Sequence, residues 1–100
     1  MREIRQTLVF QMWLKHLPDR TAKARIVRRV ERLMAGHPGD HRFLGGNLLE
    51  LREHFGPGYR IYFSYPSARL VLLLAGGKKA SQADDIARAR KLIEQWKQDA

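Results

Sequence analysis

Arg52, His54, Arg60 and Tyr62 are the residues whose types and spacing best suit chemistry. They lie within LLELREHFGPGYRIYF, residues 48–63, which reads as two strands joined by Gly56-Pro57-Gly58. Strand side chains alternate between faces. Leu49, Leu51 and Phe55 therefore share one face with Tyr59, Ile61 and Phe63, and the polar groups collect on the other. If Gly-Pro-Gly is the whole loop, Phe55 pairs with Tyr59, His54 with Arg60, and Arg52 with Tyr62. Two guanidiniums, an imidazole and a phenol then form one patch. Such a patch suits a phosphodiester, because arginine presents a planar fork of donors to phosphate oxygens and stays protonated at any useful pH. The plainer account is a solvated sheet face carrying ordinary surface charge.

A cluster of cations can act on RNA without a metal. It neutralises the phosphate, lowers the pKa of a neighbouring 2′-hydroxyl, and stabilises the pentacovalent transition state and the departing 5′-oxygen. The RNA supplies its own nucleophile. A proton carrier is still required, and both His54 and Tyr62 are candidates, the imidazole having the better ordinary pKa. Glu50, two residues before Arg52, is expected to be a salt-bridge partner. Lys78 and Lys79 follow Gly76-Gly77 at the end of the next strand, so four or five cations are expected to ring one edge of the sheet. On this reading Arg60→Ala removes a charge from an exposed face and leaves the fold intact.

The elements that must position these residues follow from periodicity. Arg2 to Gln6 predicts an edge strand, and Thr7 caps a helix carrying Phe10, Trp13, Leu14 and Leu17, which Pro18-Asp19 ends. A second helix is predicted over Thr21 to Ala35, with Ala22, Ile26, Val30, Leu33 and Met34 buried and Gly36 as the stop. Residues 37–47, with Pro38, Gly39, Gly45 and Gly46, read as a loop holding at most a short strand at Phe43-Leu44. Arg69 to Ala75 is an apolar run typical of a strand covered on both faces, placing Val71 and Leu73 behind Phe63 and Ile61, and Leu72 and Leu74 beside Tyr62 and Arg60. A last helix, capped by Ser81 with Asp84 three residues on, repeats Ile86, Ala89, Leu92, Ile93 and Trp96, and either packs on the sheet or swings as an arm. The expected architecture is α+β, a small antiparallel sheet of about four strands with two N-terminal helices and one C-terminal helix, β-α-α-β-β-β-α, in a single domain over residues 1–100.

The composition narrows the partners. The chain has 100 residues, with 19 Lys and Arg against 10 Asp and Glu, a formal charge of +9. A polyanionic partner follows, whether nucleic acid, an acidic protein or an anionic membrane surface. No apolar run approaches the ~20 residues of a spanning helix. The absence of cysteine excludes a disulfide framework and fits a cytoplasmic location. The amino terminus lacks the uninterrupted apolar stretch of a secretory leader, so the mature chain is expected to start at or next to Met1. Lys23, Arg25, Arg28, Arg29 and Arg32 form a basic stripe on the second helix, which could dock RNA or the ribosome, with Lys78 as a further contact. The stripe would supply affinity rather than chemistry. His37, Asp40 and His41 do not make up a metal set, and Gly76-Gly77-Lys78-Lys79 lacks the spacing and the parallel βαβ frame of a nucleotide-binding loop. No metal and no cofactor are expected.

The run Glu50 to Phe63, the apolar strand, and GGKKASQADDIARA (Gly76 to Ala89) together resemble the RelE/HigB superfamily of toxins from type II toxin–antitoxin systems, in its addiction-module killer protein branch. The most specific elements are Leu51-Arg52, Gly56-Pro57-Gly58-Tyr59-Arg60, and Gly76-Gly77 followed by Lys79, Gln82, Asp85, Ile86 and Ala87. The resemblance implies a compact RelE-like sheet-and-helix fold and a ribosome-dependent, metal-independent messenger RNA endoribonuclease that arrests translation and growth. A cognate antitoxin, expected to be a helix-turn-helix protein encoded alongside, would cover its basic face. Carried over by position, Arg52 and Arg60 bind phosphate and stabilise the transition state, and Lys79 adds electrostatic support. The branch commonly has an acidic residue where Lys78 stands, so the resemblance leaves open which of Lys78 and Lys79 takes the role. The carboxyl-terminal tyrosine of well-studied relatives has no counterpart after Tyr65, which leaves the general base open. ParE-type toxins use the same fold to bind gyrase and cleave no RNA, and a catalytically silent binding member is a third possibility.

Overall fold

A computed structural model describes residues 2–99. In chain order the elements are β1 (Glu3–Gln6), α1 (Leu8–Lys15), α2 (Arg20–Met34), β2 (His41–Gly45), β3 (Leu48–Glu53), β4 (Tyr59–Ser67), β5 (Leu70–Lys78), a 3₁₀ turn (Lys79–Ser81) and α3 (Gln82–Asp99). The five strands form one sheet in the order β1-β5-β4-β3-β2. β1 runs parallel to β5 and every other pair is antiparallel. The fold is thus α+β, with one strand more than the sequence pattern implies. The extra strand is β2, which has little apolar periodicity of its own and exists because β3 supplies its ladder, with a bulge between Phe43 and Gly45.

Each face of the sheet has its own core. Ile61, Phe63, Val71, Leu73 and Leu51 pack with Phe10, Ala22, Ile26 and Leu33 from α1 and α2. On the opposite face Leu48, Tyr62, Leu72, Leu74 and Ala75 pack with Ala89 and Ile93 of α3, flanked by Ile86, Leu92 and Trp96. The last helix is therefore docked along the sheet, because its apolar stripe meets the second face of the apolar strand β5. Between the two layers, β4 and β5 are covered on both sides.

Local signals account for the helix starts. Thr7 accepts a hydrogen bond from the Phe10 N–H at 3.1 Å, and its hydroxyl donates to the Leu74 carbonyl at 2.6 Å. One side chain thus caps α1 and ties it to β5. Thr7→Ala is expected to destabilise the protein by about 1–2 kcal/mol in urea unfolding, the usual cost of a lost cap. Asp19 does more than end α1, since its carboxylate accepts from the Thr21 and Ala22 N–H groups and starts α2. Ser81 is not a simple cap for α3: it closes the 3₁₀ turn, accepting from the Lys78 N–H at 3.4 Å and donating to Asp85 at 2.6 Å, so the expected Ser81–Asp84 box does not form.

The β3–β4 register differs from the Gly-Pro-Gly loop expectation. Arg52 stands opposite Arg60, Glu50 opposite Tyr62, and Glu53 opposite Tyr59. The reason is local. The Gly58 N–H donates to the Phe55 carbonyl at 3.0 Å and the Phe55 N–H to Glu53 at 2.9 Å, so the connection takes in His54 and Phe55 as well. Gly56 and Gly58 adopt φ values of +56° and +79°, which other residues adopt only with strain. The pairing moves by two residues, and with a period of two every side chain keeps its face while changing its partner.

Candidate functional site

The face carrying Glu50, Arg52, Arg60 and Tyr62 is the one α3 covers, and the cover divides the polar residues into an inner and an outer group. Glu50, Arg60 and Tyr62 lie in the inner group, at 0%, 5% and 0% exposure. The Arg60 Nε is 4.0 Å from Glu50 Oε1, and Gln82 at the start of α3 donates to Glu50 Oε2 at 2.7 Å. Glu50 is accordingly the salt-bridge partner expected, but of Arg60. One Arg60 Nη donates to the Tyr59 carbonyl. Glu50 Oε1, Arg60 Nε and the Tyr62 hydroxyl are buried without a hydrogen-bond partner among the described residues.

Tyr62 does not stand on an open patch, which corrects the expectation from strand alternation. Alternation identifies its face; it does not say that a helix lies over that face. Burial, reinforced by the carboxylates of Glu50 and Asp85, pushes the phenol well above its ordinary value. A phenol so placed is a poor proton acceptor near neutrality. Arg60 is likewise not a freely exposed cation. Its Nη1 lies close to Gly58, where a Cβ would lie 3.6 Å from Arg60 Nη1 and 3.4 Å from the Lys79 Cβ.

Lys79 is the lysine beside Arg60. Its N–H donates to the Gly58 carbonyl at 2.7 Å, bringing the start of the 3₁₀ turn against the β3–β4 loop. Lys78 pairs with Tyr59 and so falls on the α1/α2 side of the strand. Both lysines are exposed. The expected ring of cations is therefore split, with Arg60 and Lys79 together and Lys78 turned to the other side.

Arg52 and His54 make up the outer group, joined by a residue that sequence reasoning set aside. Asp40 Oδ1 accepts from Arg52 at 2.8 and 3.1 Å, and Asp40 Oδ2 lies 2.7 Å from His54 Nε2. These hydrogen bonds, from Arg52 first and His54 second, hold the Asp40 carboxyl below the usual carboxylate range. Asp40 lies in an aperiodic loop just before β2, and only the β2–β3 pairing brings it to Arg52, whose N–H donates to the Asp40 carbonyl at 3.0 Å. No local pattern marks it.

The basic stripe of α2 is also divided. Arg29 is a structural tether: its side chain is 12% exposed and donates to the carbonyls of Arg52, Pro38 and Asp40 at 2.6, 2.9 and 2.9 Å, and to Glu53 at 3.3 Å. Its inclusion among exposed docking residues is corrected by those bonds. Arg25 pairs with Glu53 at 3.6 Å and lies over the Phe55 ring, 4.5 Å from its centroid. Lys23 is half-buried, whereas Arg28 and Arg32 are exposed with no ion pair among the described residues. No group of three or more His, Cys, Asp or Glu among the described residues is placed to hold a metal ion, and no helix among them is long and apolar enough to cross a membrane.

What the arrangement offers chemically is a guanidinium and an ammonium beside the β3–β4 loop, with a second guanidinium and an imidazole on the neighbouring strand and its end. Comparison with known proteins finds sequence similarity over nearly the whole chain. The sequence is similar to an uncharacterized protein of Haemophilus influenzae, at 40% identity over 93 residues, covering 93% of this chain and 94% of the relative. A family model described as phage derived protein Gp49-like (DUF891) matches residues 12–94. That span contains Asp40, the whole β3–β4 pair, Lys79 and most of α3, so the chain belongs to the phage derived Gp49-like family, a toxin-like family.

Proposed function

We propose that this protein is the toxin of a toxin–antitoxin module and cleaves messenger RNA on the ribosome without a metal. The observation that carries the proposal is the convergence of Arg60 and Lys79 at Gly58, next to Arg52 and His54. Arg60 and Lys79 meet the scissile phosphate, and Arg52 holds a neighbouring one. His54 takes the proton of the 2′-hydroxyl. The 2′-oxygen then attacks phosphorus, the P–O5′ bond breaks, and the 5′-oxygen leaves with a proton from solvent while the cations offset its charge. The products are a 2′,3′-cyclic phosphate and a 5′-hydroxyl, and His54 returns its proton to solvent. Tyr62 is left out of the proton path by its burial.

The surface cations Arg28, Arg32 and Lys78 add affinity for the phosphate backbone of ribosome-bound RNA, and the formal charge of +9 fits an acidic antitoxin segment as the inhibitor. The site of action is the cytoplasm, where translating ribosomes are. Lys79→Ala is the cleanest test because the side chain is exposed and its removal leaves no buried charge unpaired. Mapping 5′ ends of translated transcripts after induction should show new ends within codons for the unaltered protein. For Lys79→Ala at equal soluble level, cleavage should fall on the order of 100-fold, the typical effect of losing one transition-state donor. Intact transcripts together with DNA-damage signalling would sink the proposal in favour of a gyrase target.

A further inference from the structure

We propose that Asp40, held in place by Arg29, is the positioning residue of the site: its carboxylate selects the imidazole nitrogen of His54 that exchanges protons and holds Arg52 alongside. The inference rests on the ribonuclease reading above and adds to it a residue with no direct part in the bond changes. The geometry is specific. One oxygen of Asp40 takes both donors from Arg52 and the other faces His54 Nε2, so each oxygen has its own partner. A carboxylate can only accept hydrogen bonds, so a neutral His54 must carry its proton on Nε2 and leave the Nδ1 lone pair free. Nδ1 has no hydrogen-bond partner among the described residues, and the side chain is 66% exposed, so a substrate hydroxyl has access to it.

Arg29 fixes the carboxylate in turn. Its guanidinium donates to the carbonyls of Pro38 and Asp40 and, across the gap, to that of Arg52, so it clamps the loop to β3. Gly39 sits in this clamp at φ +70°, where a Cβ would lie 3.4 Å from Arg29 Nη2. The left-handed backbone at Gly39, which glycine adopts without strain, lets the loop turn into the clamp. Asp40 thereby delivers its two oxygens to two side chains that the β3–β4 register alone leaves unconnected.

The test combines a double-mutant cycle with a direct reading of the imidazole. Asp40→Asn keeps the size of the side chain but offers an amide donor as readily as an acceptor, so it removes the selection of nitrogen. Ribosome-dependent cleavage by Asp40→Asn should fall about 10- to 100-fold, a part of the 10²–10⁴ that a positioned base contributes. In a His54→Gln background, adding Asp40→Asn should change the rate by no more than about twofold, because the two residues act as one unit. In nitrogen-15 spectra of the full chain, His54 should carry its proton on Nε2, and Asp40→Asn should shift it toward a mixed tautomer population. Additive rate losses, or an unchanged tautomer in Asp40→Asn, would overturn the proposal. If the unaltered protein cleaves no RNA, the ribonuclease reading fails by itself, and the imidazole spectra still decide whether Asp40 sets the tautomer.

Discussion

Arg60→Ala is expected to lower the stability of the fold by about 3–5 kcal/mol, the range for removing one partner of a buried ion pair. Out of a typical total of about 5–15 kcal/mol this is enough to deplete the soluble protein. The cause is Glu50. Its side chain is 0% exposed and Arg60 is the cation beside it, so truncating Arg60 leaves a carboxylate in a dry setting with Gln82 as its donor among the described residues. Loss of toxicity in Arg60→Ala would therefore say nothing about catalysis by itself. The double variant Arg60→Met with Glu50→Gln removes both charges and keeps similar volumes, and it should recover most of the stability. Cleavage should stay about 10²–10³-fold down, because a phosphate donor is still missing. Urea unfolding of the three proteins checks the first statement; an Arg60→Ala midpoint equal to that of the unaltered protein would refute it. Transcript cleavage by the double variant checks the second.

Gly76→Ala is expected to cost about 3 kcal/mol or more, at the upper end for an overfilled core, and to do so without touching a charge. Gly76 lies in β5 against the Trp13 indole, and a Cβ there would overlap ring atoms Cε3, Cζ3 and Cδ2. Trp13 is held between Phe10, with ring centroids 5.8 Å apart, and Tyr59 at 6.5 Å, so the indole cannot turn aside without disturbing both. The neighbouring Gly77→Ala meets the carboxylate of Asp85, the end of a movable side chain. It should be milder and act mainly through the Ser81–Asp85 bond that orders the start of α3. Thermal unfolding of the two variants should place Gly76→Ala well below Gly77→Ala, and the reverse order would refute the packing argument. The Gly-Gly pair is thus explained by close approach of an indole and a carboxylate, with no phosphate-binding loop needed.

Much of the fold is legible along the chain because its signals are local. Thr7 and the Phe10, Trp13, Leu14 spacing place α1, which ends at Lys15 before reaching Leu17, and Ala22, Ile26, Val30 and Leu33 place α2. The apolar run from Leu70 reads correctly as a strand with two covered faces, and Ala89 and Ile93 mark the buried side of α3. The site is less legible. Arg52, Arg60 and Lys79 can be named from type, spacing and resemblance, yet their surroundings depend on contacts far apart in the chain. Asp40 and Arg29 have no pattern of their own, and their roles come from carbonyls and side chains that the sheet and the loop bring to them.

The residues that share each face of the β3–β4 pair, the start of α1 at Thr7 and the strongly basic character can be read along the chain, since alternation, capping and charge are properties of neighbours in sequence. The register, the cover and the partners come from contacts between elements far apart in the chain. A loop of His54 to Gly58 shifted the pairing by two residues, which a period of two cannot reveal. The docking of α3 then buried Tyr62 and most of Arg60 while Arg52 and His54 stayed within reach of solvent, because an amphipathic helix settles on whichever apolar surface the assembled sheet presents.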